Sequence, residues 1–319
     1  MQNCCVNGPK YVVLGVRYRW ELSGKIADMT TLRLGQGKRA REFATGDFAV
    51  MAIVNRTPDS FYDQGATFAF AAAVEKADRA VADGADIVDV GGVKAGEGDP
   101  LPVAEEIERT VPFIAHLRQR HPSLLISIDT FHAAVAREAV AAGADLINDT
   151  WAGWDEEIYT VAADSGAGLV CSHTGGLQPR TIVTKAVYDS VVDDVRNDLV
   201  AAAQKAVAAG ARPDGILIDP THDFGKHTYH SLELTRRLNE LTDTGWPVLV
   251  ALSRKDFVGE TLDLPPNERL HGTLAATSIS AWNGARMFRA HDVRATREVV
   301  DMVATIMGHR EPKAPLRSL

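Results

Sequence analysis

Residues 82–92, ADGADIVDVGG, contain the repeating unit on which the fold prediction depends. A glycine follows an alanine-rich helical pattern, a short apolar run comes next, and the run leads to an aspartate. The same order recurs at 141–149, AAGADLIND, where the run leads to an asparagine. Glycine after a helix suits a left-handed C-terminal cap, and short, uniformly apolar strands are typical of parallel sheets buried on both faces. The stretch therefore predicts an α/β protein.

Short apolar runs recur along the chain from residue 48 onward. They lie at 48–54, 85–90, 124–128, 144–148, 168–172, 215–218, 247–252 and 285–290. Alanine-rich segments with helical period lie between several of them, at 68–84, 102–118, 131–142 and 187–208. Eight strand and helix units over about 270 residues fit a (β/α)8 barrel better than a doubly wound sheet. We predict a single-domain TIM barrel at 47–310, a partly ordered N-terminal extension at 1–46 and a C-terminal tail at 311–319.

Composition argues against several classes of protein. The net charge of −8 disfavours a protein that tracks a nucleic-acid backbone, because such proteins need a basic face. Cys4 and Cys5 are adjacent and Cys171 lies inside an apolar run, a pattern typical of a reducing compartment. The sequence has no run of about 18 apolar residues. We predict a cytoplasmic protein with neither nucleic acid nor membrane as a partner.

Polar residues follow almost every predicted strand, at the end where a TIM barrel carries its active site. In chain order they are Asn55, Asp89, Asp129, Asn148, His173, Asp219, the group Ser253, Arg254 and Lys255, and Arg289 with His291. Any one of them could simply cap a helix or form a turn. Capping does not explain why acids follow strands two, three and six while bases follow strands seven and eight.

This division of charge predicts a ligand with two different ends. The bases suit an anion, and phosphate in TIM barrels commonly binds near the last two loops. The acids and Asn148 would accept hydrogen bonds from a flat ligand that carries several N–H donors. A fused heterocycle with a guanidine-like edge would fit, because paired hydrogen bonds to a buried carboxylate are strong and directional.

Seven short motifs then resemble those of the dihydropteroate synthases and their pterin-binding relatives, over about residues 48–308. They are NRTPDSF at 55–61, DVGG at 89–92, SIDT at 127–130, IND at 147–149, DP and FGK within 219–226, SRKDF at 253–257 and RAHDV at 289–293. The resemblance implies a transferase of folate biosynthesis that joins a pterin pyrophosphate to p-aminobenzoate. It also implies magnesium (Mg²⁺) as cofactor and release of pyrophosphate before the amine attacks.

The same resemblance implies the residues that would hold the pterin ring. These are Asp129, Asn148, Asp219 and Lys255, with Asp89 behind them in the same pocket. Among them, Asp129, Asp219 and Lys255 are the expected catalytic residues. A pterin-like small molecule is therefore the expected ligand.

Other residues are expected at the phosphate and amine ends of the ligand. By resemblance, Asn55 would face the magnesium and the phosphates, while Arg289 and His291 would bind the departing phosphates. Phe224 would belong to the wall near the amine substrate. Family members are commonly dimers through their late helices, here about 264–308, so we also expect a homodimer.

The loop after DVGG departs from the family pattern. Family members continue with a loop like Glu-Ser-Thr-Arg-Pro-Gly, whose threonine and arginine close over the pyrophosphate and the amine substrate. The aligned residues here are Val93, Lys94, Ala95 and Gly96. Lys94 offers a point charge without the planar fork of an arginine. Loss of two charge-assisted contacts of about 1.5–3 kcal/mol each predicts at least about a hundredfold loss of binding or rate.

Two further departures favour the same conclusion. Ser172 stands where the family usually has a methionine that packs against the pterin ring. Thr221, His222 and Asp223 replace a Gly-Ile-Gly segment, which stiffens the backbone and adds a negative side chain near an anionic substrate.

Three hypotheses of function follow from these features. The first is a dihydropteroate synthase homologue with weak or no synthase activity, and the second is a working synthase that rebuilds the missing contacts. The third is a pterin-binding methyl-carrier domain, which commonly works beside a corrinoid module that this sequence does not show. The degraded second loop favours the first hypothesis.

Overall fold

A computed structural model describes residues 31–57, 69–94, 96–181 and 187–314. The strands are β1 Leu32–Leu34, β2 Arg41–Phe43, β3 Ala49–Asn55, β4 Ile87–Gly91, β5 Leu125–Asp129, β6 Leu146–Asp149, β7 Gly168–Ser172, β8 Ile216–Asp219, β9 Leu249–Val250 and β10 Met287–Ala290. The helices are α1 Phe70–Ala82, α2 Val103–Arg120, α3 Ala133–Ala141, α4 Glu157–Ser165, α5 Val191–Ala208, α6 Thr228–Arg236, α7 Asn239–Thr242, α8 Asp256–Leu262, α9 Leu270–Trp282 and α10 Val293–Ile306. Ala95 and residues 58–61 of the NRTPDSF motif lie outside the described residues.

Strands β3 to β10 form a parallel barrel. They are hydrogen-bonded in the order β8, β7, β6, β5, β4, β3, β10, β9. A parallel bridge between Ile218 and Val248 joins the two edges, and Ile218 N donates to Pro247 O at 2.9 Å. Each strand begins and ends within two residues of its predicted apolar run. The predicted α/β fold with a (β/α)8 barrel is therefore confirmed.

Residues 82–92 contain the helix C-terminal cap that Gly84 predicts. Gly84 has φ +95°, and its N–H donates to Val81 O at 3.1 Å. Ala85 N donates to Ala80 O at 2.9 Å, which completes a Schellman motif at the end of α1. The chain then enters β4, so the helix-to-strand reversal depends on a backbone conformation that glycine adopts without strain.

A β-hairpin closes the N-terminal end of the barrel. Strands β1 and β2 pair antiparallel, and Leu32, Leu34 and Phe43 are buried in one cluster with the barrel interior. That cluster includes Ile87 and Leu125, the first residues of β4 and β5. Apolar side chains therefore fill this end, and the polar strand ends lie at the opposite end of the barrel.

The helices pack outside the barrel and keep the strands buried on both faces. On β3, Ala49 and Met51 belong to the interior cluster, whereas Val50 and Val54 pack in the layer between strands and helices. This alternation is the period of two expected of strands in a barrel. In the parts of the chain that the structure describes, no helix is both long and apolar enough to span a bilayer.

Candidate active site

Four of the predicted acidic and amide side chains lie at the C-terminal mouth of the barrel. Strand register pairs Gly91 with Asp129 and Asp129 with Asn148, so β4, β5 and β6 present their ends side by side. Asp89 and Asn148 are buried, and Asn148 Nδ2 donates to Asp89 Oδ2 at 3.2 Å. Asp219 is buried at the end of β8. We call Asp89, Asp129, Asn148 and Asp219 the acid cluster.

Arg289 joins two members of the acid cluster. Its Nε donates to Asp89 Oδ2 at 2.6 Å, and its Nη2 donates to Asp129 Oδ2 at 2.7 Å. Thr150 Oγ1 donates to the other oxygen of Asp129 at 3.1 Å. Among the described residues, Nη1 of Arg289 has no hydrogen-bond partner. The arginine predicted to bind phosphate thus holds two acids and keeps one nitrogen available.

Burial raises the pKa of two acids of the cluster. Burial raises the pKa of Asp129 to about 7, and the positive charge of Arg289 limits that rise. Burial also raises the pKa of Asp219, opposed by the charge of Lys255. Desolvation disfavours a charged carboxylate, so a cationic or N–H-donating partner would stabilise the ionised form of both acids.

Two acceptor atoms in the cluster have no donor within the described structure. Asp89 Oδ1 and Asn148 Oδ1 are buried and accept no hydrogen bond there. A buried polar atom without a partner costs about 1–3 kcal/mol. These atoms therefore favour a ligand with N–H groups, as the strand-end pattern predicts.

Lys255 and Phe224 lie together at the mouth, after β9 and β8. Lys255 precedes α8, donates to His222 O, and has its Nζ 5.1 Å from the centroid of the Phe224 ring. Trp151 packs edge-on against the same ring, with centroids 5.7 Å apart. Burial lowers the pKa of Lys255, and the nearby carboxylate of Asp223 opposes that change. The predicted amine wall is thus adjacent to the predicted pterin-binding lysine.

The residues predicted for phosphate and metal lie on adjoining strands. Strand β10, which carries Arg289, pairs with β3, which ends at Asn55. A β-carbon built on Gly91 would lie 3.2 Å from Asn55 Oδ1, which places this oxygen beside the end of β4. His291 N donates to Ser253 Oγ at 3.2 Å. Within the described residues, no three His, Cys, Asp or Glu side chains are grouped to hold a metal.

The loop after β8 adopts backbone torsions that favour glycine. Thr221 has φ +49° and Asp223 has φ +70°. Thr221 N donates to Asp219 Oδ1 at 2.7 Å, and the two carboxylate oxygens of Asp223 accept from Ser231 Oγ at 2.8 Å and Phe257 N at 3.2 Å. Side-chain hydrogen bonds therefore hold torsions that the family's glycines adopt freely, at a cost of about 1–3 kcal/mol each.

Lys226 and His173 are buried and form a pair that the sequence did not predict. Lys226 Nζ lies 2.9 Å from His173 Nδ1 and donates to His173 O at 2.9 Å and Phe224 O at 2.8 Å. Burial and the charge of Lys226 lower the pKa of His173 to about 3, so a neutral ring accepts a hydrogen bond from Lys226 Nζ. The sequence signal for this pairing was the FGK motif, which contains Lys226.

The hydroxyl of Ser172 forms hydrogen bonds with the loop after β6. Its Oγ donates to Asp149 O at 2.5 Å and accepts from Ala152 N at 3.1 Å. The side chain thus stabilises the loop after β6. It offers no apolar surface comparable to that of a methionine.

Comparison with known proteins places these features in one family. Residues 51–291 match the family described as pterin binding enzyme. The chain is 59% identical over 274 residues to the Mycobacterium leprae protein named inactive dihydropteroate synthase 2, covering 85% of this chain and 94% of that protein. It is 36% identical over 266 residues to the dihydropteroate synthase of Streptococcus pyogenes, covering 82% of this chain and 97% of that enzyme.

A solved structure agrees with the fold. The dihydropteroate synthase of Xanthomonas albilineans with 4-aminobenzoic acid superposes with a TM-score of 0.79 at 36% identity. The match covers 87% of this chain and 99% of that structure.

Proposed function

Because this chain belongs to the pterin-binding enzyme family, we propose that it is a dihydropteroate synthase homologue with weak or no synthase activity. The M. leprae relative is named an inactive synthase, and the more distant S. pyogenes relative is named a synthase. The observation that carries the proposal is an assembled acid cluster beside a second loop that lacks the family's threonine and arginine. On this proposal, the chain keeps the residues that recognise the ring and has lost those that close over the pyrophosphate.

The acid cluster would bind the pterin ring. Asp89 Oδ1 and Asn148 Oδ1 need donors, and the amino and ring N–H groups of a pterin would provide them. Asp129 and Asp219 would accept further ring hydrogens, and Lys255 would donate to a ring acceptor from the Phe224 side. These residues orient the ring and hold its protons in place.

The phosphate end of the ligand would lie near β3 and β10. Arg289 has one nitrogen without a partner in the described structure, and His291 lies at the end of the same strand. Asn55 offers one amide oxygen, and magnesium commonly binds one or two protein oxygens together with substrate phosphates. Asn55 would fit that role, and a bound Mg²⁺ would supply positive charge to neutralise the pyrophosphate.

A working synthase is the second candidate, and the complete acid cluster favours it. The structure does not supply a guanidinium at position 96, where the family closes on the pyrophosphate. Loss of an arginine fork removes paired contacts that a lysine cannot reproduce. We therefore expect ring binding to survive better than turnover.

Calorimetry with the pterin pyrophosphate, with and without Mg²⁺, tests the proposal. We expect weak binding, and no dihydropteroate above background when p-aminobenzoate is added to the same samples. Asp129→Asn should abolish what binding there is, whereas Asp164→Asn, an exposed change on α4, should not. Tight binding with steady turnover would contradict an impaired synthase.

A homodimer would use exposed apolar residues on the late helices. Ile279 and Trp282 on α9 are 52% and 57% exposed, and Met302 and Ile306 on α10 are 59% and 60% exposed. A patch of large apolar side chains on neighbouring helices marks an association surface. The surface lies within the region 264–308 that the resemblance implies.

Sedimentation analysis tests the dimer. The parent protein is expected to sediment as a dimer and Trp282→Lys as a monomer, because a charge would be buried in the interface without a partner. Tyr229→Lys changes a residue that is 79% exposed on α6 and should leave the dimer intact. A monomeric parent protein would rule out this surface as a stable interface.

The cytoplasmic location predicted from cysteine usage stays a prediction.

A further inference from the structure

An arginine from the loop after β7 holds the loop after β4. Arg180 Nη1 donates to Lys94 O at 2.5 Å and to Gly96 O at 3.2 Å, and Arg180 Nε donates to Asp99 O at 3.1 Å. In return, Gly98 N donates to Arg180 O at 3.3 Å. Four hydrogen bonds therefore join two loops that are far apart in the sequence.

These loops belong to strands that are not neighbours. In the barrel, β5 and β6 lie between β4 and β7. The ends of β5 and β6 carry Asp129 and Asn148, two members of the acid cluster. The contact between the loops of β4 and β7 therefore joins the two sides of the part of the mouth that β5 and β6 form.

The fit between Arg180 and the second loop depends on a glycine. A β-carbon built on Gly98, whose φ is +154°, would lie 2.0 Å from Arg180 Nη2. Arg180 itself has φ +67°, a torsion that costs an L-residue free energy and persists only where surrounding contacts hold it. Within the described residues Arg180 pairs with no carboxylate, so its donors are committed to backbone carbonyl groups.

We propose that Arg180 is a positioning residue that latches the second loop across the mouth and limits access to the acid cluster. The loop needs no functional side chains for this, because the guanidinium binds the backbone carbonyl groups of Lys94, Gly96 and Asp99. This inference rests on the proposed function only for the identity of the ligand, a pterin. The latch itself rests on the contacts of Arg180.

Cleavage by endoproteinase Lys-C after Lys94 measures the latch without any ligand. The carbonyl of the bond to be cut accepts a hydrogen bond from Arg180, and cleavage of a folded protein follows the population of locally open states. Arg180→Ala removes the donors, and Gly98→Ala displaces them sterically. Both variants should be cut after Lys94 at least about tenfold faster than the parent protein.

The matched control is Arg212→Ala. Arg212 also donates to a backbone carbonyl, that of Arg33, but it lies before β8 at the hairpin end of the barrel. The Arg212→Ala variant removes the same charge as Arg180→Ala and should leave the rate of cleavage after Lys94 unchanged. Equal cleavage rates in the parent and both latch variants would overturn the latch.

Titration of the same proteins with the pterin pyrophosphate measures access. Both latch variants should bind at least about fivefold more tightly than the parent protein, and Arg212→Ala should not. The same affinity in all four proteins, or no detectable binding in any, would overturn the role in access. Synthase turnover by the parent protein would contradict the proposed function and leave the cleavage result intact.

Discussion

Replacing Arg289 with methionine is expected to lower the free energy of unfolding by about 3–5 kcal/mol at pH 8. Arg289 donates to Asp89 Oδ2 and Asp129 Oδ2, and Asp89 has no exposed surface. Methionine keeps most of the length and removes the charge, so two carboxylates would remain buried without their cation. Urea unfolding followed by circular dichroism measures the change.

The loss should shrink as the pH falls. Burial already raises the pKa of Asp129 to about 7, well above its unfolded value, and removal of Arg289 takes away the charge that limits this rise. A carboxyl with a raised folded-state pKa favours the folded protein at low pH, and this contribution is lost as pH rises through about 4 to 7. At pH 5 a protonated Asp129 needs no cation.

Two further variants test whether the loss of stability comes from the uncompensated carboxylates. Arg289→Met combined with Asp89→Asn should recover part of the loss, because one uncompensated charge is gone. Arg294→Met removes an exposed arginine on α10 that pairs with Glu298 and should change stability by less than about 0.5 kcal/mol. A loss below about 1 kcal/mol for Arg289→Met at both pH values would mean that water already compensates the two acids.

Rebuilding the second loop is expected to raise synthase turnover by about a hundredfold or more. The double variant Ala95→Thr and Gly96→Arg restores the hydroxyl and guanidinium that the family places over the pyrophosphate. A β-carbon at position 96 would meet nothing within 4 Å among the described residues, so the first atom of the new side chain is not blocked by them. The specificity constant kcat/KM for the pterin pyrophosphate is the quantity to measure.

The structure identifies one obstacle to this gain. Gly96 has φ +107°, which an arginine rarely adopts, and its carbonyl accepts from Arg180. Adding Arg180→Ala frees the loop to change conformation, so the triple variant should exceed the double variant. Ala95→Thr with Gly96→Lys supplies charge without the fork and should gain less. No gain in either the double or the triple variant would mean that the second loop is not the defect.

Local patterns were sufficient to predict the strands and the identity of the mouth residues. Glycine at 84 forms the Schellman cap that its position predicts, and the apolar run at 85–90 contains β4. Parallel strands of a barrel end on one side, so residues such as Asp89, Asp129 and Asn148 had to meet once the fold class was known. No knowledge of their contacts was needed for that step.

The division of charge predicted the kind of ligand but not the internal pairing. Arg289 was predicted to bind phosphate, and the structure places its guanidinium between Asp89 and Asp129. A strand-end position specifies which residue faces the mouth. It does not specify the rotamer or the partner, because these depend on side chains from strands far apart in the chain.

The sequence by itself determined the barrel, the polar strand ends and the loss of the family's threonine and arginine from the second loop. Tertiary structure alone decided that the hairpin at Leu32–Phe43 fills the barrel bottom, that Lys226 pairs with His173, and that Arg180 holds the second loop. Periodicity and capping are local and can be read over a few residues. Contacts between residues some 50 to 90 positions apart depend on how the closed barrel brings their loops together.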